Sequence, residues 1–317
     1  MRGTLKELYE IVGISKQAVH QHIKRKDEFN RKLESLIWEV MELREEHPGI
    51  GLEKMYYTLN PDFLGRNKFI EIFSELGFKL KKKRVSWRTT YRGEIYYPNL
   101  IEGLVVSGAN EVWQSDITYF RVGERFYYLV FIIDVYTKEI VGFNVSDNLR
   151  AEANMKALMM AVSRHGYPKI HHSDRGSQYT YKPYVAKLEE NDVKLSMSVY
   201  AFENAYAERI NRTIKEEYLQ YRSIKNLAQL QKETKLAVKH YNEKRIHNHI
   251  GRMAPKAFAK YYITLDQQTR PKVIISTEGK DKVMRASNPH NFKQTLPQDD
   301  ISPKVNQKEH EHQKQQK

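Results

Sequence analysis

Residues 112–135 read VWQSDITYFRVGERFYYLVFIIDV and predict two adjacent β-strands. The first strand covers 112–122 and carries Asp116 within an apolar run, and the second covers 125–135 and is almost wholly apolar. A continuous apolar run of this kind is typical of a strand that is buried on both faces of a sheet. A third strand follows at 139–145 after a short turn. These residues therefore predict three meandering strands with a carboxylate inside the first.

Helices and strands alternate after these three strands. Apolar residues at helical spacing predict a helix around 155–162, because they repeat at i, i+3, i+4 and i+7. The later elements are predicted to be a strand at 169–174, a helix near 184–190, a strand near 193–197, a long helix from Glu203 past Leu219, and more helix over 226–260. This order predicts an α/β domain, at 98–262 with its C-terminal helices, whose mixed sheet is covered on both faces.

Three acidic residues occupy unusual positions in these elements. Asp116 lies inside a hydrophobic strand, where a carboxylate is costly unless it is paired or bound to a metal. Asp174 lies at the end of a strand, next to a glycine-containing turn. Glu208 lies on the polar face of the long helix, with Arg212 and Lys215 within about 40° of it at 100° per residue. For a single acid, a structural ion pair or a solvated surface position is the simpler interpretation.

Cleavage of a phosphodiester gives a chemical reason to bring such acids together. Two magnesium ions about 3.5–4 Å apart activate the nucleophile and stabilise the leaving oxygen. Magnesium prefers oxygen ligands, and a few carboxylates can hold it beside a phosphate. We therefore expect a metal-dependent nuclease or transferase, in which Arg212 and Lys215 bind the DNA backbone beside the metal ions.

The N-terminal region is predicted to bind DNA through two helical units. In residues 1–28, Gly13 ends one helix and Ser15 caps the next, which is typical of a helix-turn-helix. Residues 32–92 predict further helices and a basic arm without acidic residues from 78 to 93. Five cations of this arm are expected to contact phosphates: Lys81, Lys82, Lys83, Arg84 and Arg88. A helical hairpin with a solvated face and a solvated linker are the alternatives.

The composition favours a nucleic-acid partner and excludes several other kinds of protein. The formal net charge of +14 and the isoelectric point near 9.5 favour a polyanionic partner. No apolar run approaches the ~20 residues of a membrane-spanning helix, and the N-terminus lacks the apolar core of a secretion signal. The absence of cysteine excludes disulfides, thiol catalysis and cysteine-bound zinc. Residues 278–317 are polar and are expected to be disordered.

Three blocks around the acids resemble a known family. They read VWQSDITY at 112–119, HSDRGSQY at 172–179 and ENAYAER at 203–209, and the stretch YNEKRIHNHIG at 241–251 extends the likeness. Together they resemble the bacterial insertion-sequence transposases of the IS-three family, second-reading-frame type, in the retroviral-integrase or DDE superfamily. The resemblance covers about residues 5–262, and the block around Asp174 is its most specific part.

The resemblance implies a ribonuclease-H-like catalytic core, preceded by helical DNA-binding units of the helix-turn-helix type. Asp116, Asp174 and Glu208 would be the catalytic, metal-binding acids, with magnesium as the cofactor and manganese as an alternative. Water would cut a strand at the end of the element, and the freed 3′-hydroxyl would attack a second phosphodiester. The implied partners are the element ends and the target DNA, which would be held by a homo-oligomer.

A further implied partner is the product of a separate upstream reading frame, alone or as a fusion, because the chain begins at Met1 without an evident leucine zipper. The expected location is the bacterial cytoplasm, in association with the nucleoid and without membrane contact.

Two departures from the family pattern affect the third acid. The spacing from Asp174 to Glu208 is 34 positions, slightly shorter than is usual in the family, and the shortening falls at 199–202. Glu203 stands where the family commonly has an aspartate, so it is an alternative third ligand. We prefer Glu208, because its Ala-Glu-Arg context aligns with the catalytic helix of the family.

Other candidate residues are weaker. His171 and His172 could face DNA, but packed strand histidines are at least as plausible, and Asp134 is expected to be structural. His247 and His249 suggest a metal pair, although no third ligand is evident. The rival functions are a nuclease of the same fold without strand transfer, and an inactive DNA-binding regulator.

Overall fold

The computed structural model describes residue 9 and residues 11–80, 96–275 and 283–284. Three of the predictions above concern parts of the chain outside these residues. They are the first helix up to residue 8, the five cations of the basic arm (Lys81, Lys82, Lys83, Arg84 and Arg88), and nearly all of the polar C-terminal region.

A five-stranded sheet organises residues 112–197. Its strands are β2 (Val112–Val122), β3 (Arg125–Asp134), β4 (Ile140–Ser146), β5 (Ile170–Ser173) and β6 (Lys194–Met197). They lie in the order β4-β3-β2-β5-β6, in which the first three are antiparallel and the last two run parallel to β2. The predicted mixed sheet is confirmed, and the bounds of β2 agree with the prediction to the residue.

Strand β3 is buried on both faces, as its apolar run predicts. Leu129 and Phe131 pack into a core shared with the later helices, and Val130 and Ile132 pack into the opposite core. The helices that cover the sheet are α4 (Ala151–His165), α5 (Lys182–Glu189), α6 (Ala205–Thr213), α7 (Leu227–Glu243) and α8 (Pro255–Tyr262). Helix α4 approaches β4 so closely that a Cβ on Gly142 would lie 2.2 Å from the carbonyl oxygen of Ala157. Only glycine fits at that position.

The long helix that was predicted from Glu203 is interrupted. A 3₁₀ turn at Ala201–Asn204 precedes α6, and a π turn at Ile214–Tyr218 and a 3₁₀ turn at Leu219–Tyr221 follow it. Hydrophobic spacing alone does not distinguish these turns from α-helix, because all of them keep Ile210, Ile214 and Tyr218 in the same core.

The N-terminal helices are α1 (Lys16–Glu46), α2 (Leu52–Leu59) and α3 (Arg66–Glu75). As predicted, Gly13 directly follows the end of a helix, where it has a positive φ of 69°, and the Ser15 side chain caps α1 by accepting from the Ala18 N–H at 3.1 Å. The predicted boundary between residues 28 and 32 is wrong in one respect, because α1 runs through it without a break. Residues 16–46 contain neither glycine nor proline, and the i,i+4 pair of Glu28 and Lys32 spans the boundary at 3.8 Å.

These helices have a small core of their own and belong to the same compact unit as the sheet. Three strands that the sequence did not predict form a second sheet, in which β7 (Lys272–Ile274) pairs with β1 (Val105–Val106) on one side and with β8 (Val283–Met284) on the other. They are too short to give a periodic signal. Within the part of the chain that the structure describes, no helix is both long and apolar enough to span a membrane.

Candidate active site

Asp116 and Asp174 are brought together by the parallel pairing of β2 with β5. The register ends with Ser115 opposite Ser173, so Asp116 follows one residue later within β2 and Asp174 follows directly after the end of β5. Neighbouring strands lie about 4.8 Å apart. The sheet therefore places two carboxylates side by side, although they are 58 positions apart in the chain.

Glu208 lies near these aspartates because β2 holds the beginning of α6. Gln114, which is fully buried, accepts hydrogen bonds from the N–H groups of Tyr206 at 3.0 Å and Ala207 at 3.4 Å. The Asn204 amide donates to the carbonyl oxygen of Ser115 at 2.9 Å. These bonds satisfy helix N-terminal donors and fix the first turn of α6 against the strand that carries the first acid.

Sequence reasoning missed Gln114. The available signal was a polar side chain inside a strand predicted to be apolar, two residues before Asp116. A buried amide needs partners for both its donor and its acceptor atoms, and here the helix N-terminus provides them. Gln114 also donates to the carbonyl oxygen of Glu203 at 3.4 Å.

The electrostatics show that the three carboxylates act on one another. Burial raises the pKa of Asp116 well above its ordinary value, and the charges of Asp174 and Glu208 raise it further. Burial also raises the pKa of Asp174, against the hydrogen bond from the Gly176 N–H. Burial raises the pKa of Glu208, Arg212 opposes this effect, and Asp174 adds to it. A cation between the acids would relieve this repulsion and favour their charged forms.

The chemistry of these donors fits a divalent cation, since three carboxylates offer the hard oxygen ligands that such ions prefer. As they stand, the side chains have local partners: Asp116 accepts from the Asn211 amide at 2.8 Å, and Asp174 accepts from the Gly176 N–H at 3.1 Å. Among the described residues, no three acidic or histidine side chains lie close enough to hold a metal in this arrangement. Binding of a metal ion would therefore require the side chains of these acids to rotate, while the pairing of β2 with β5 stays as it is.

The two predicted cations lie on the same helical segment as Glu208. Lys215 donates to the Thr118 hydroxyl at 2.7 Å, and burial lowers the pKa of Lys215 although Asp116 opposes this effect. Arg212 is exposed and close enough to Glu208 to lower its pKa. Lys215 and Arg212 thus place positive charge near the acids, although neither forms a direct salt bridge to Asp116.

Glu203 has a different role from Glu208. Its carboxylate accepts hydrogen bonds from the backbone N–H groups of Val199 and Tyr200, and the second of these measures 3.0 Å. The side chain therefore closes the loop before α6. Glu208, in contrast, is one of the charges that act on Asp116.

The histidines and Asp134 are engaged in structural contacts. His171 pairs with the Tyr184 hydroxyl at 2.9 Å and His172 with the Ser196 hydroxyl at 2.8 Å, and burial lowers their pKa values to about 4 and about 3. Asp134 accepts from the N–H of Thr137 and from its hydroxyl, at 2.7 and 2.8 Å.

His247 lies 5.0 Å from the ring of Tyr241 and 3.0 Å from an Arg245 nitrogen. No third ligand accompanies His247 and His249 among the residues that the structure describes.

Comparison with known proteins gives consistent matches over this region. Residues 106–200 match one family model described as an integrase core domain, and residues 197–255 match a second with the same description. The chain is 33% identical to the insertion element IS600 uncharacterized 31 kDa protein of Shigella sonnei, over 64% of this chain and 78% of that protein. It is also 33% identical to the transposase for insertion sequence element IS629 of Shigella sonnei, over 69% of this chain and 76% of that protein.

Among solved structures, the HTLV-2 integrase catalytic core domain in complex with magnesium matches with a TM-score of 0.41 and 18% identity. That match covers 51% of this chain and 99% of the solved one.

Proposed function

The chain belongs to the IS-three family of insertion-sequence transposases, in the retroviral-integrase superfamily, and we propose that Asp116, Asp174 and Glu208 are the active-site acids with which it cuts and joins DNA. The integrase core match and the five-stranded mixed sheet confirm the predicted ribonuclease-H-like α/β core. The observation that carries the residue assignment is the register of β2 on β5, which sets Asp116 beside Asp174.

The reaction has two steps on phosphorus. In the first, the oxygen of water bonds to the phosphorus at the end of the element and the bond from phosphorus to the 3′-oxygen breaks, which releases a 3′-hydroxyl. In the second, that 3′-hydroxyl bonds to a phosphorus of the target strand and displaces its 3′-oxygen. Each step exchanges one phosphorus–oxygen bond for another, so no energy source is required.

The three acids would hold a divalent metal, and magnesium is the proposed ion because every donor is a carboxylate oxygen. When bound, such an ion lowers the pKa of a nucleophilic water or hydroxyl and stabilises the leaving oxygen. The chain's own residues prepare this site. Gln114 fixes α6, the Asn211 amide orients Asp116, and Lys215 and Arg212 provide positive charge for the DNA backbone.

The proposal extends to partners and to the N-terminal region. The helix-turn-helix unit in residues 1–28 and the basic arm in 32–92 would bind the element ends. More than one protomer would act on the two ends, and the product of an upstream reading frame would assist. The net charge of +14 supports DNA as the partner.

The test is a strand-transfer assay with a duplex that carries the terminal repeat of the element encoding this chain, plus a target plasmid and magnesium. A transposase yields joined products, whereas a nuclease of the same fold yields only cut ones. Asp174→Asn is expected to abolish cutting and joining while end binding in a gel-shift assay is retained. Joining by Asp174→Asn would refute the assignment, and binding without cutting by the wild-type chain would favour an inactive regulator.

A further inference from the structure

The loop between β6 and α6 is attached at both ends to the residues that precede the catalytic aspartates. Ser198 N–H donates to the carbonyl oxygen of Ser173 at 2.8 Å, and the Asn204 amide donates to the carbonyl oxygen of Ser115 at 2.9 Å. Residues 199–203 therefore lie at the end of the sheet where Asp116 and Asp174 emerge.

This loop has a defined conformation. The Glu203 carboxylate accepts from the N–H groups of Val199 and Tyr200, and the Glu203 N–H donates to the carbonyl oxygen of Tyr200 at 3.1 Å. A 3₁₀ turn at Ala201–Asn204 leads directly into α6. The loop therefore presents its side chains from a fixed backbone.

Two aromatic side chains project from this backbone into solvent. The rings of Tyr200 and Phe202 are stacked, with centroids 5.3 Å apart and planes inclined by 8°. Tyr200 is 59% exposed and Phe202 is 46% exposed. We call these two residues the aromatic pair. Exposing two stacked rings leaves apolar area uncovered, and such a patch is typical of a binding surface.

The positive charge near the acids, at the end of the sheet where this loop is attached, indicates which partner would cover the aromatic pair. Arg175 directly follows Asp174, and Arg212 and Lys215 lie on the segment that carries Glu208. In a chain with a net charge of +14, these cations favour a polyanion over a protein or a lipid tail. A nucleotide combines both requirements, since the π-face of its base is apolar and its backbone is anionic.

We propose that the aromatic pair stacks on an unpaired nucleobase next to the phosphodiester that is cut or joined. Base–aromatic stacking accepts every base, because every base has a π-face. A base inside an intact duplex is already stacked, so the pair would select a terminal or extruded base. This contact would hold the strand in place beside the acids. The inference rests on the proposed function, which supplies DNA as the substrate.

Photo-crosslinking tests the contact directly. The duplex that carries the element end is synthesised with 5-iodouracil at single positions on either side of the scissile phosphate. The duplex is irradiated in complex with the Asp174→Asn variant, which is expected to bind the DNA without cutting it. The crosslinked peptide is then identified by mass spectrometry. The expected result is a crosslink from a flanking position to Tyr200 or Phe202. Crosslinks at those positions only to residues outside 199–203 would overturn the proposal.

Binding and kinetics give a second, independent readout. Replacing both residues, Tyr200→Leu with Phe202→Leu, is expected to weaken end binding or raise the apparent KM by about 5- to 100-fold. The conservative pair Tyr200→Phe with Phe202→Tyr is expected to restore it. Tyr221→Leu is the matched control, because Tyr221 is 44% exposed but lies after the π turn. Equal effects of the control and the double leucine variant would contradict the proposal.

The outcomes separate this inference from the proposed function. If Asp174→Asn still joined DNA, the acid assignment would fail, whereas a crosslink to the aromatic pair would still support the stacking contact. If Asp174→Asn lost joining but the crosslink mapped elsewhere, the assignment of the acids would be supported and the proposed stacking contact would be refuted.

Discussion

At the scale of single residues, the structure distinguishes between Glu203 and Glu208 as candidates for the third acid of the site. The Glu203 carboxylate is occupied by two backbone N–H groups of its own loop, whereas Glu208 acts on the charge of Asp116. The carboxylate of Glu208 is therefore available to a metal ion, whereas the carboxylate of Glu203 is used by the hydrogen bonds that close the turn before α6. This distinction depends on the direction of a side chain, which the sequence alone does not give.

Glu208→Gln is expected to lower strand joining by at least about 100-fold, because the variant lacks one of the three carboxylates proposed to hold the metal. Glu203→Gln is expected to keep most of the chemical rate and to loosen the loop. The measurement is single-turnover joining with both variants at saturating magnesium. If Glu203→Gln were the inactive variant and Glu208→Gln the active one, the assignment of the third acid would be reversed.

His240 provides a residue-scale prediction of pH dependence. Burial, followed by the nearby His47, lowers the pKa of His240 to about 4. Since the pKa of an unfolded histidine is about 6.5, the unfolded chain binds a proton that the folded chain does not. The stabilisation is therefore present above pH ~6.5 and decreases as the pH falls towards about 4.

Denaturant unfolding at pH 7.5 and pH 5 measures this effect. The wild-type chain is expected to lose about 1–2 kcal/mol more than His240→Gln over that interval, after allowance for solvent screening. The comparison between the two chains is necessary because the raised pKa values of Asp116 and Asp174 act in the opposite direction. Equal losses for both chains would contradict the prediction.

At the scale of elements, the strands were predictable and the turns around the acids were not. The run at 112–122 combines β-branched and aromatic residues with a clear end, so its hydrophobic pattern defines β2. Continuity of α1 was missed because residues 1–28 and 32–92 were treated as separate helical units, although no glycine or proline interrupts residues 16–46. The π turn at Ile214–Tyr218 was missed because it keeps the same buried face as an α-helix.

The candidate active site was likewise predictable only in part. Asp116, Asp174 and Glu208 could be selected from the sequence, because acids in apolar or two-faced elements are conspicuous. Gln114 was not selected: its polar side chain inside an apolar strand was a signal, but its function depends on the helix N-terminus that packs against it. The pairing of β2 with β5 also required the structure, since register is set by interactions between residues distant in the chain.

Glu217, on the π turn, connects the N-terminal helices to the catalytic core, and we call its contacts with His47, Gly49 and Arg245 the clamp. Arg245 donates two hydrogen bonds to the Glu217 carboxylate, each 2.7 Å long, and buried His47 contacts the same carboxylate at 2.7 Å. The backbone is equally close, because Gly49 N–H donates to the carbonyl oxygen of Glu217 at 2.7 Å. A Cβ on Gly49 would lie 2.3 Å from the Cα of Glu217, so no larger residue fits.

Glu217→Ala is expected to destabilise the chain by about 3 kcal/mol, because it leaves the buried guanidinium of Arg245 unpaired. The adjacent and exposed Glu216→Ala is the matched control and is expected to change stability by less than about 0.5 kcal/mol. Chemical denaturation of both variants at neutral pH makes the comparison. Similar stabilities of the two variants would show that the clamp does not join the N-terminal helices to the core.

At the scale of the whole molecule, the excess positive charge predicts how DNA binding responds to salt. Each lysine that binds a phosphate releases a counterion, which steepens the fall of affinity with salt. Replacing Lys81, Lys82 and Lys83 by alanine is expected to reduce the slope of log K against log salt by about 1 for each lysine–phosphate pair that is removed. The control replaces three exposed lysines of α7, namely Lys232, Lys235 and Lys239. Equal changes in slope would mean that the basic arm does not bind the DNA backbone preferentially.

The central claim is that Asp116, Asp174 and Glu208 hold a divalent metal for cutting and joining DNA. The chain contains no cysteine, so Asp174→Cys introduces a single thiolate at the site. Thiolate is a poor ligand for magnesium and a better one for softer metals such as manganese and cadmium.

The most direct measurement is therefore strand joining by Asp174→Cys and Asp174→Ala in magnesium and in manganese with trace cadmium. We predict that both variants are inactive in magnesium and that the softer metals restore joining to the cysteine variant alone. Undiminished joining by either variant in magnesium, or the same response of both variants to the softer metals, would contradict the claim.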